Sequence, residues 1–183
     1  MDIVSRVKNI LIDPKNDWAV IDGEPDEPMT ILTGYVAILA AIPAVCGFIG
    51  TSIIGIAGYR TGIIGGFFSA VLSYVLTLVG VYVMAFIIDA LAETFGGRKN
   101  FNSAFKVAAY APTASWVAGV FALIPVLSVL AILGLYSLYL LWLGLPLLMR
   151  VPQDKAIGYV IAVIVVAIIM SLLVFWIPAR LLF

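Results

Sequence analysis

Ionisable side chains are missing from four long stretches of this chain. Apart from tyrosines and one cysteine, none occurs in residues 28–59, 61–88, 107–149 and 156–179. Because about 20 apolar residues cross a hydrocarbon core about 30 Å thick, each stretch is long enough to span a bilayer. The sequence therefore predicts a polytopic membrane protein and excludes a soluble domain with a polar surface.

Histidine is absent, and Cys46 is the single cysteine. These two facts exclude a disulfide within the chain, zinc sites of the Cys/His type, and Ser-His-Asp or Cys-His catalysis. Cys46 lies in an apolar run and is interpreted as a small packing residue. We expect no cofactor and no resident metal.

Excess charge of either sign is also lacking, because ten basic residues balance ten acidic ones among 183. No overall field would attract a polyanion, so nucleic acid is not an expected partner. Instead, 64% of the residues are hydrophobic and the mean hydropathy is +1.19. The N-terminus does not resemble a cleavable signal, since charged residues are mixed with apolar ones and an acidic segment follows.

Residues 1–28 are predicted to be a cytoplasmic unit that precedes a membrane domain at 29–183. Apolar residues at helical spacing predict an amphipathic helix over 2–12, which would lie on the membrane surface or against the bundle. Asp13-Pro14 ends it, and Trp18 is interpreted as an interfacial anchor. Residues 22–28 are predicted to be an exposed acidic linker.

Five membrane-spanning helices make up the predicted all-α bundle. Their approximate ranges are 30–54 (bent or broken at Pro43), 64–88, 107–123, 127–147 and 157–178 (ending at Pro178). A Gly-rich turn over 55–62 joins the first two, and Gly96-Gly97 stops the second. Asn100 or Asn102 caps the third, and Ile124-Pro125 forms the turn before the fourth.

The basic residues favour a cytoplasmic N-terminus and an outside C-terminus. This orientation puts eight of them inside and only two, Arg60 and Arg180, outside. The inside set is Arg6, Lys8, Lys15, Arg98, Lys99, Lys106, Arg150 and Lys155. A four-span alternative, with 107–149 as one crossing and a re-entrant piece, would move Arg150 outside and weaken the asymmetry.

Small residues on the second span form one helical face. They recur at intervals of three and four, at Gly62, Gly66, Ser69, Ser73, Thr77 and Gly80. Similar faces on the first and third spans suggest that these three helices form the core, whereas bulky residues over 161–170 predict a lipid-facing fifth span. Such a face serves intramolecular helix packing, and the alternative is a conduit or an oligomer interface.

Two carboxylates at the cytoplasmic end of the second span are the nearest approach to a chemical site. Asp89 and Glu93 lie four residues apart, so they repel each other and oppose the negative end of the helix dipole. Arg98, Lys99 and Lys106 follow closely enough to compensate them. An ordinary interfacial ion network is one interpretation, and a cation or partner site is the other.

Several soft motifs resemble the prokaryotic branch of the Yip (Ypt-interacting protein) domain family. They are Phe95-Gly96-Gly97-Arg98-Lys99-Asn100-Phe101, Ala108-Ala109-Tyr110-Ala111-Pro112, and Tyr136 to Leu140 followed by Gly144-Leu145-Pro146. The resemblance implies a non-enzymatic integral membrane protein. Eukaryotic members bind Rab GTPases and each other, but this chain lacks their long N-terminal region and their Asp-Leu-Tyr-Gly-Pro element, so we do not transfer those partners.

Three functions remain open at this point. The first is a membrane-organising or adaptor protein whose partners are membrane lipids, other membrane proteins and further copies of the chain. The second is a homo-oligomeric channel or transporter that uses Ser69, Ser73 and Thr77 with Asp89 and Glu93. An intramembrane enzyme comes a distant third, because no ionisable pair lies at mid-membrane depth.

Overall fold

All regular secondary structure is helical in residues 2–55 and 60–182, which are the residues that the computed structural model describes. Within these ranges there is no β-strand, and four helices are long and apolar enough to cross a membrane. They are Pro28–Ile54, Ile63–Phe95, Val126–Leu148 and Gln153–Pro178. Residues 56–59 of the predicted Gly-rich turn lie outside the described residues.

Two short helices form an N-terminal hairpin. Helix α1 (Ile3–Ile12) is the predicted amphipathic helix, and the Asp2 carboxylate caps it by accepting from the Ser5 backbone N–H. Asp13 ends it, and α2 (Pro14–Gly23) follows at once, with proline in its first turn where no N–H is needed. The prediction for Trp18 is wrong: the side chain is fully buried, so it anchors α2 to the bundle rather than to the membrane interface.

The first long helix runs through Pro43 without a break. It consists of α3 (Pro28–Ile31), α4 (Ala37–Phe48) and two π-helical segments, Leu32–Val36 and Ile49–Ile54. Proline removes one backbone donor, which membrane helices tolerate. Of the two predicted alternatives at Pro43, the break is absent, and the bend stays a prediction.

Glycine ends the second long helix as the sequence predicts. Helix α5 (Ile63–Ala92) continues into a 3₁₀ turn, Glu93–Phe95, and Gly96 then adopts a left-handed conformation with φ of +73°. The Gly96 N–H donates to the Glu93 carbonyl, and the Gly97 N–H donates to the Ala92 carbonyl. These bonds satisfy the last carbonyl groups of the helix.

The predicted third span is helical but interrupted. Asn100 caps α6 (Phe101–Tyr110) through its side-chain oxygen, which accepts from the Ser103 N–H. A break at Ala111-Pro112 follows, since proline cannot donate to the carbonyl of the preceding turn. Helix α7 (Thr113–Ala118) and a 3₁₀ segment, Gly119–Leu123, complete the region.

The predicted turn at Ile124-Pro125 is confirmed by the Leu127 N–H, which donates to the Ile124 carbonyl. A 3₁₀ segment, Pro125–Leu135, leads into α8 (Tyr136–Leu148). The last helix, α9 (Gln153–Leu182), continues past Pro178, whereas its apolar span, Gln153–Pro178, ends at that proline as predicted. Its outer side exposes Ile161, Val165, Ile168 and Ile169.

Helix α6 occupies the centre of the bundle. Every residue from Ala104 to Tyr110 is buried, and α5, α8 and the first long helix surround it. The connections 96–100 and 149–152 meet at one end of the bundle, because the Arg98 N–H donates to the Met149 carbonyl. We call this the loop end.

Candidate functional site

The carboxylates that the sequence singles out lie at the loop end, but they do not act as a pair. Glu93 Oε2 is 3.0 Å from Lys99 Nζ, and both side chains are largely exposed. Asp89 is half-buried, and its Oδ1 is buried without a hydrogen-bond partner among the described residues. The Arg98 side chain is exposed. The structure thus brings Glu93 and Lys99 together and leaves Asp89 apart.

Lys106 belongs to a different site. It is buried, and its ammonium group donates to the carbonyl oxygens of Ile21, at 2.7 Å, and of Glu24. These carbonyls lie at the end of α2, where the helix dipole favours a cation. The prediction that Lys106 compensates Asp89 and Glu93 is therefore wrong, because the N-terminal hairpin supplies its acceptors.

A buried charge cluster joins this hairpin to the bundle. Arg6 and Asp17 are each only 4% exposed, and Arg6 Nη1 donates to Asp17 Oδ1 at 3.0 Å. Arg6 Nη2 also donates to Glu24. The guanidinium group lies 5.6 Å from the centre of the Tyr110 ring, a cation–π contact. We use the name hairpin cluster for Arg6, Asp17, Glu24 and Lys106.

Burial acts in opposite directions on the pKa values of two members of the hairpin cluster, Asp17 and Arg6. It raises the pKa of Asp17 above its ordinary value, although the neighbouring Arg6 charge opposes that effect. The hydrogen bond to Glu24 raises the pKa of Arg6 although burial acts against it. Asp17 Oδ2 and Glu24 Oε2 have no hydrogen-bond partner among the described residues. The cluster therefore holds two acids and two bases, all of them buried except the partly exposed Glu24.

Sequence reasoning missed this cluster. Arg6 had been assigned to the polar face of α1 and Glu24 to an exposed linker, but both turn inward. Their partners lie 11 to 85 residues away along the chain, so no local pattern reveals them. The only sequence signal is the presence of Arg6 on an otherwise regular amphipathic helix.

Hydroxyl groups satisfy the backbone at the α6 break. Thr113 Oγ1 donates to the Tyr110 carbonyl at 2.6 Å and lies 2.8 Å from the Tyr35 hydroxyl. The Tyr35 and Tyr110 rings pack with their centres 4.7 Å apart. This chain of polar groups runs from the hairpin cluster into the bundle and locks the interrupted helix to the first long helix.

The small-residue face of α5 divides between two neighbours. A Cβ on Gly66 would lie 2.0 Å from Ser52 Oγ of the first long helix, whereas one on Gly80 would lie 3.6 Å from Met170 Cε of α9. Gly62 is exposed. Ser69, Ser73 and Thr77 are half-buried, and Thr77 donates to the Ser73 carbonyl. The small-residue face therefore packs against two helices, the first long helix and α9.

A lateral cavity opens beside the second half of this face. It has a volume of about 530 Å³ and lies between α5, α8, α9 and the interrupted region. Its wall is mainly apolar and includes Val81, Met84 and Leu141, with the hydroxyl groups of Thr77, Ser115 and Ser137. Ser115 Oγ donates to the Gly134 carbonyl, and Ser137 Oγ accepts from the Ser115 N–H. These serine bonds are internal to the wall.

Metal ligation finds no support in the described part of the chain, where no three His, Cys, Asp or Glu residues gather closely enough to hold an ion. The side chains at the loop end can form ion pairs, and the lateral cavity can receive an apolar group. The hairpin cluster can hold or release the N-terminal hairpin.

Comparison with known proteins identifies similar chains. The model of the Yip1 domain family matches residues 8–175. The chain is 30% identical to the inner membrane protein YohC of Escherichia coli strain K12, over 186 aligned positions that cover 93% of this chain and 95% of the relative. The YohC protein of Escherichia coli O6:H1 matches equally well. No solved structure matches.

Proposed function

The chain belongs to the Yip1 domain family, and from this premise we propose that it is a non-enzymatic protein that organises the membrane by binding lipids and protein partners. It is a multi-pass protein of the prokaryotic cytoplasmic (inner) membrane. The proposed partners are membrane lipids, other membrane proteins and further copies of the chain.

The proposal includes five crossings, with the N-terminus inside and the C-terminus outside. Region 101–123 begins at the loop end, and its far end packs near Gly50 of the first long helix, where a Cβ would lie 2.0 Å from the Ala122 carbonyl oxygen. Although Pro112 interrupts it, the region runs the length of the bundle. Arg98, Arg150 and Lys155 cluster at the loop end, which supports a cytoplasmic location for that end.

The lateral cavity is the observation that carries the lipid-binding role. In a bilayer it faces hydrocarbon rather than water, and its wall offers apolar side chains with few hydroxyl groups. Its volume of about 530 Å³ is within the range of ligand-binding pockets. We propose that one hydrocarbon chain of a membrane lipid enters it.

Native mass spectrometry of protein extracted gently in its own lipids tests this role. We expect wild-type protein to retain lipid and Gly80→Leu to lose it, because a side chain at this position fills the cavity beside Met170. Ala90→Leu is the matched control, since Ala90 is exposed on the same helix. Equal retention by both variants would rule out the cavity as the lipid site.

A channel or transporter is the second candidate, favoured by the hydroxyl groups of Thr77, Ser115 and Ser137 beside the cavity. Purified protein in liposomes would then carry an ion or small solute. If flux were found and Asp89→Asn with Glu93→Gln left it unchanged, the carboxylates would have no part in it. Reproducible selective flux would overturn the organising role.

A further inference from the structure

The N-terminal hairpin reaches deep along the side of the bundle. Its tip lies beside α8, where the Tyr136 hydroxyl donates to the Leu11 carbonyl at 3.2 Å. Tyr136 is the first of the 13 residues of α8, and it lies near the middle of the apolar helix Val126–Leu148. At about 1.5 Å per residue, the tip is about 18 Å from Leu148.

The other end of the hairpin is held at the loop end. Arg150 Nη2 donates to Asp22 Oδ2 at 2.6 Å. Arg150 adopts a left-handed backbone with φ of 54°, which is uncommon for a residue other than glycine. Together with the hairpin cluster, these contacts fix the hairpin along the length of α8, which is about half of the apolar helix Val126–Leu148.

Charged groups on the outer face of the hairpin therefore lie at a depth that elsewhere faces lipid. Exposed polar residues occur on α1, at the tip and on α2: Lys8, Asp13, Lys15 and Asn16. At comparable depth, α9 exposes isoleucine and valine. Charged side chains in hydrocarbon are costly, and they normally pair with one another or face water. We therefore do not expect this side of the bundle to face lipid.

The same face is complementary to itself. It carries two bases, Lys8 and Lys15, and two acids, Asp2 and Asp13, and none of the four has an ion-pair partner among the described residues. Exposed apolar side chains lie between them, at Val4, Ile12 and Val20. A two-fold axis can bring such a patch against its own copy and place bases opposite acids.

We propose that the outer face of the hairpin, defined by Asp2, Val4, Lys8, Ile12, Asp13, Lys15 and Val20, binds the same face of a second copy of this chain within the membrane. The proposal deepens the proposed function, on which it rests for the assignment of further copies as partners. The second copy shields the charges from lipid.

Cross-linking in native membranes tests the interface. In a Cys46→Ala background, Val4→Cys, Ile12→Cys and Val20→Cys are each treated with a short bismaleimide, and Ile161→Cys on the exposed side of α9 is the matched control. We expect dimers from at least one hairpin position and none from the control. Equal cross-linking of all four would indicate random collision and overturn the proposal.

Charge reversal provides an independent test. We expect the double variant Lys8→Asp, Lys15→Asp to reduce the cross-linked fraction about tenfold, because it leaves only acids at the interface. Asp13→Lys alone leaves mainly bases and should weaken the dimer as well. Differently tagged copies of the two variants, expressed together, should restore cross-linking between them. Dimers that survive both changes, or a mixture that does not recover, would overturn the proposal.

Lipid retention separates this proposal from the proposed function. A monomer that keeps its lipid in native mass spectrometry would overturn the interface and leave the lipid-binding role intact. A dimer without lipid would support the interface and overturn the lipid-binding role. Because the substituted side chains are exposed, we expect each variant to unfold at the same temperature as the wild type. An unchanged unfolding temperature would exclude misfolding.

Discussion

Two groups of charges near the loop end differ in what surrounds them. The hairpin cluster is buried between α1, α2 and α6, and each of its four side chains contacts a partner from another element. The Glu93–Lys99 pair is exposed and joins residues six positions apart in one connection. Acidic and basic side chains thus form buried tertiary contacts in the hairpin cluster, whereas at Glu93 and Lys99 they form a solvated surface.

Burial decides the energetic difference between the two. Exposed ion pairs contribute about 0–1 kcal/mol, because water and salt screen them. Breaking a buried pair costs about 3–5 kcal/mol, because the remaining partner is left as an uncompensated charge. Loss of Arg6 is therefore severe, because it pairs inside the hairpin and also contacts Tyr110 of the bundle.

Arg6→Ala should produce the largest effect. It leaves Asp17 and Glu24 facing each other without their shared cation, so we expect a loss of about 3–5 kcal/mol in the free energy of unfolding. Denaturant titration in mild detergent, followed by tryptophan fluorescence, measures it. Lys99→Ala is the control, and an equal loss in both variants would show that burial does not distinguish the two groups.

Gly144→Ala should follow in size. A Cβ at this position would lie 2.4 Å from the Trp18 ring, so the hairpin must shift away from α8. Overpacking of this kind costs about 1–3 kcal/mol. Gly34→Ala is the matched control, because nothing lies within 4 Å of its Cβ and it also sits in a long helix. Limited proteolysis of the hairpin should accelerate only in Gly144→Ala.

Asp17→Asn should change how stability depends on pH. Because the pKa of Asp17 is raised in the folded protein above its ordinary 3.8, the folded state binds the proton more tightly than the unfolded state. This contribution favours folding fully below pH 3.8 and is lost as the pH rises through the raised pKa. As the pH rises through this window, we expect the free energy of unfolding of the wild type to fall relative to that of Asp17→Asn. Parallel curves from thermal unfolding across the window would contradict the prediction.

Glu93→Gln should produce the smallest effect. It removes an exposed ion pair, so we expect a change of at most about 1 kcal/mol that disappears in high salt. Thermal unfolding at low and high ionic strength measures it. A large loss that salt does not reduce would mean that Glu93 has a partner beyond Lys99.

Features that depend on local chemistry could be predicted from the sequence. The cap of α6, the helix stop at Gly96 and the turn at Ile124-Pro125 all involve residues a few positions apart. The long apolar helices follow from the length of the uncharged stretches. The effect of a proline could not be predicted from its neighbours alone. The helical region around Pro112 breaks, whereas α4 continues through Pro43 and α9 continues through Pro178.

Features that depend on distant partners could not be predicted. The burial of Trp18 requires the absence of a side chain at Gly144, and the role of Lys106 requires the end of α2. Neither pairing leaves a periodic signal in one sequence. The lateral cavity likewise results from four elements meeting around the Pro112 break, which no single helix specifies.

The hydrogen bond between Tyr136 and Leu11 has a consequence for the order of assembly. Its partners are separated by 125 positions, so the N-terminal hairpin emerges from the ribosome long before α8 exists. During that interval Arg6 can pair with Asp17 and Glu24 inside the hairpin, but the hairpin has neither Tyr110 nor α8 to dock against. Docking of the hairpin is therefore a late step in biogenesis, and completion of α8 limits when it can occur.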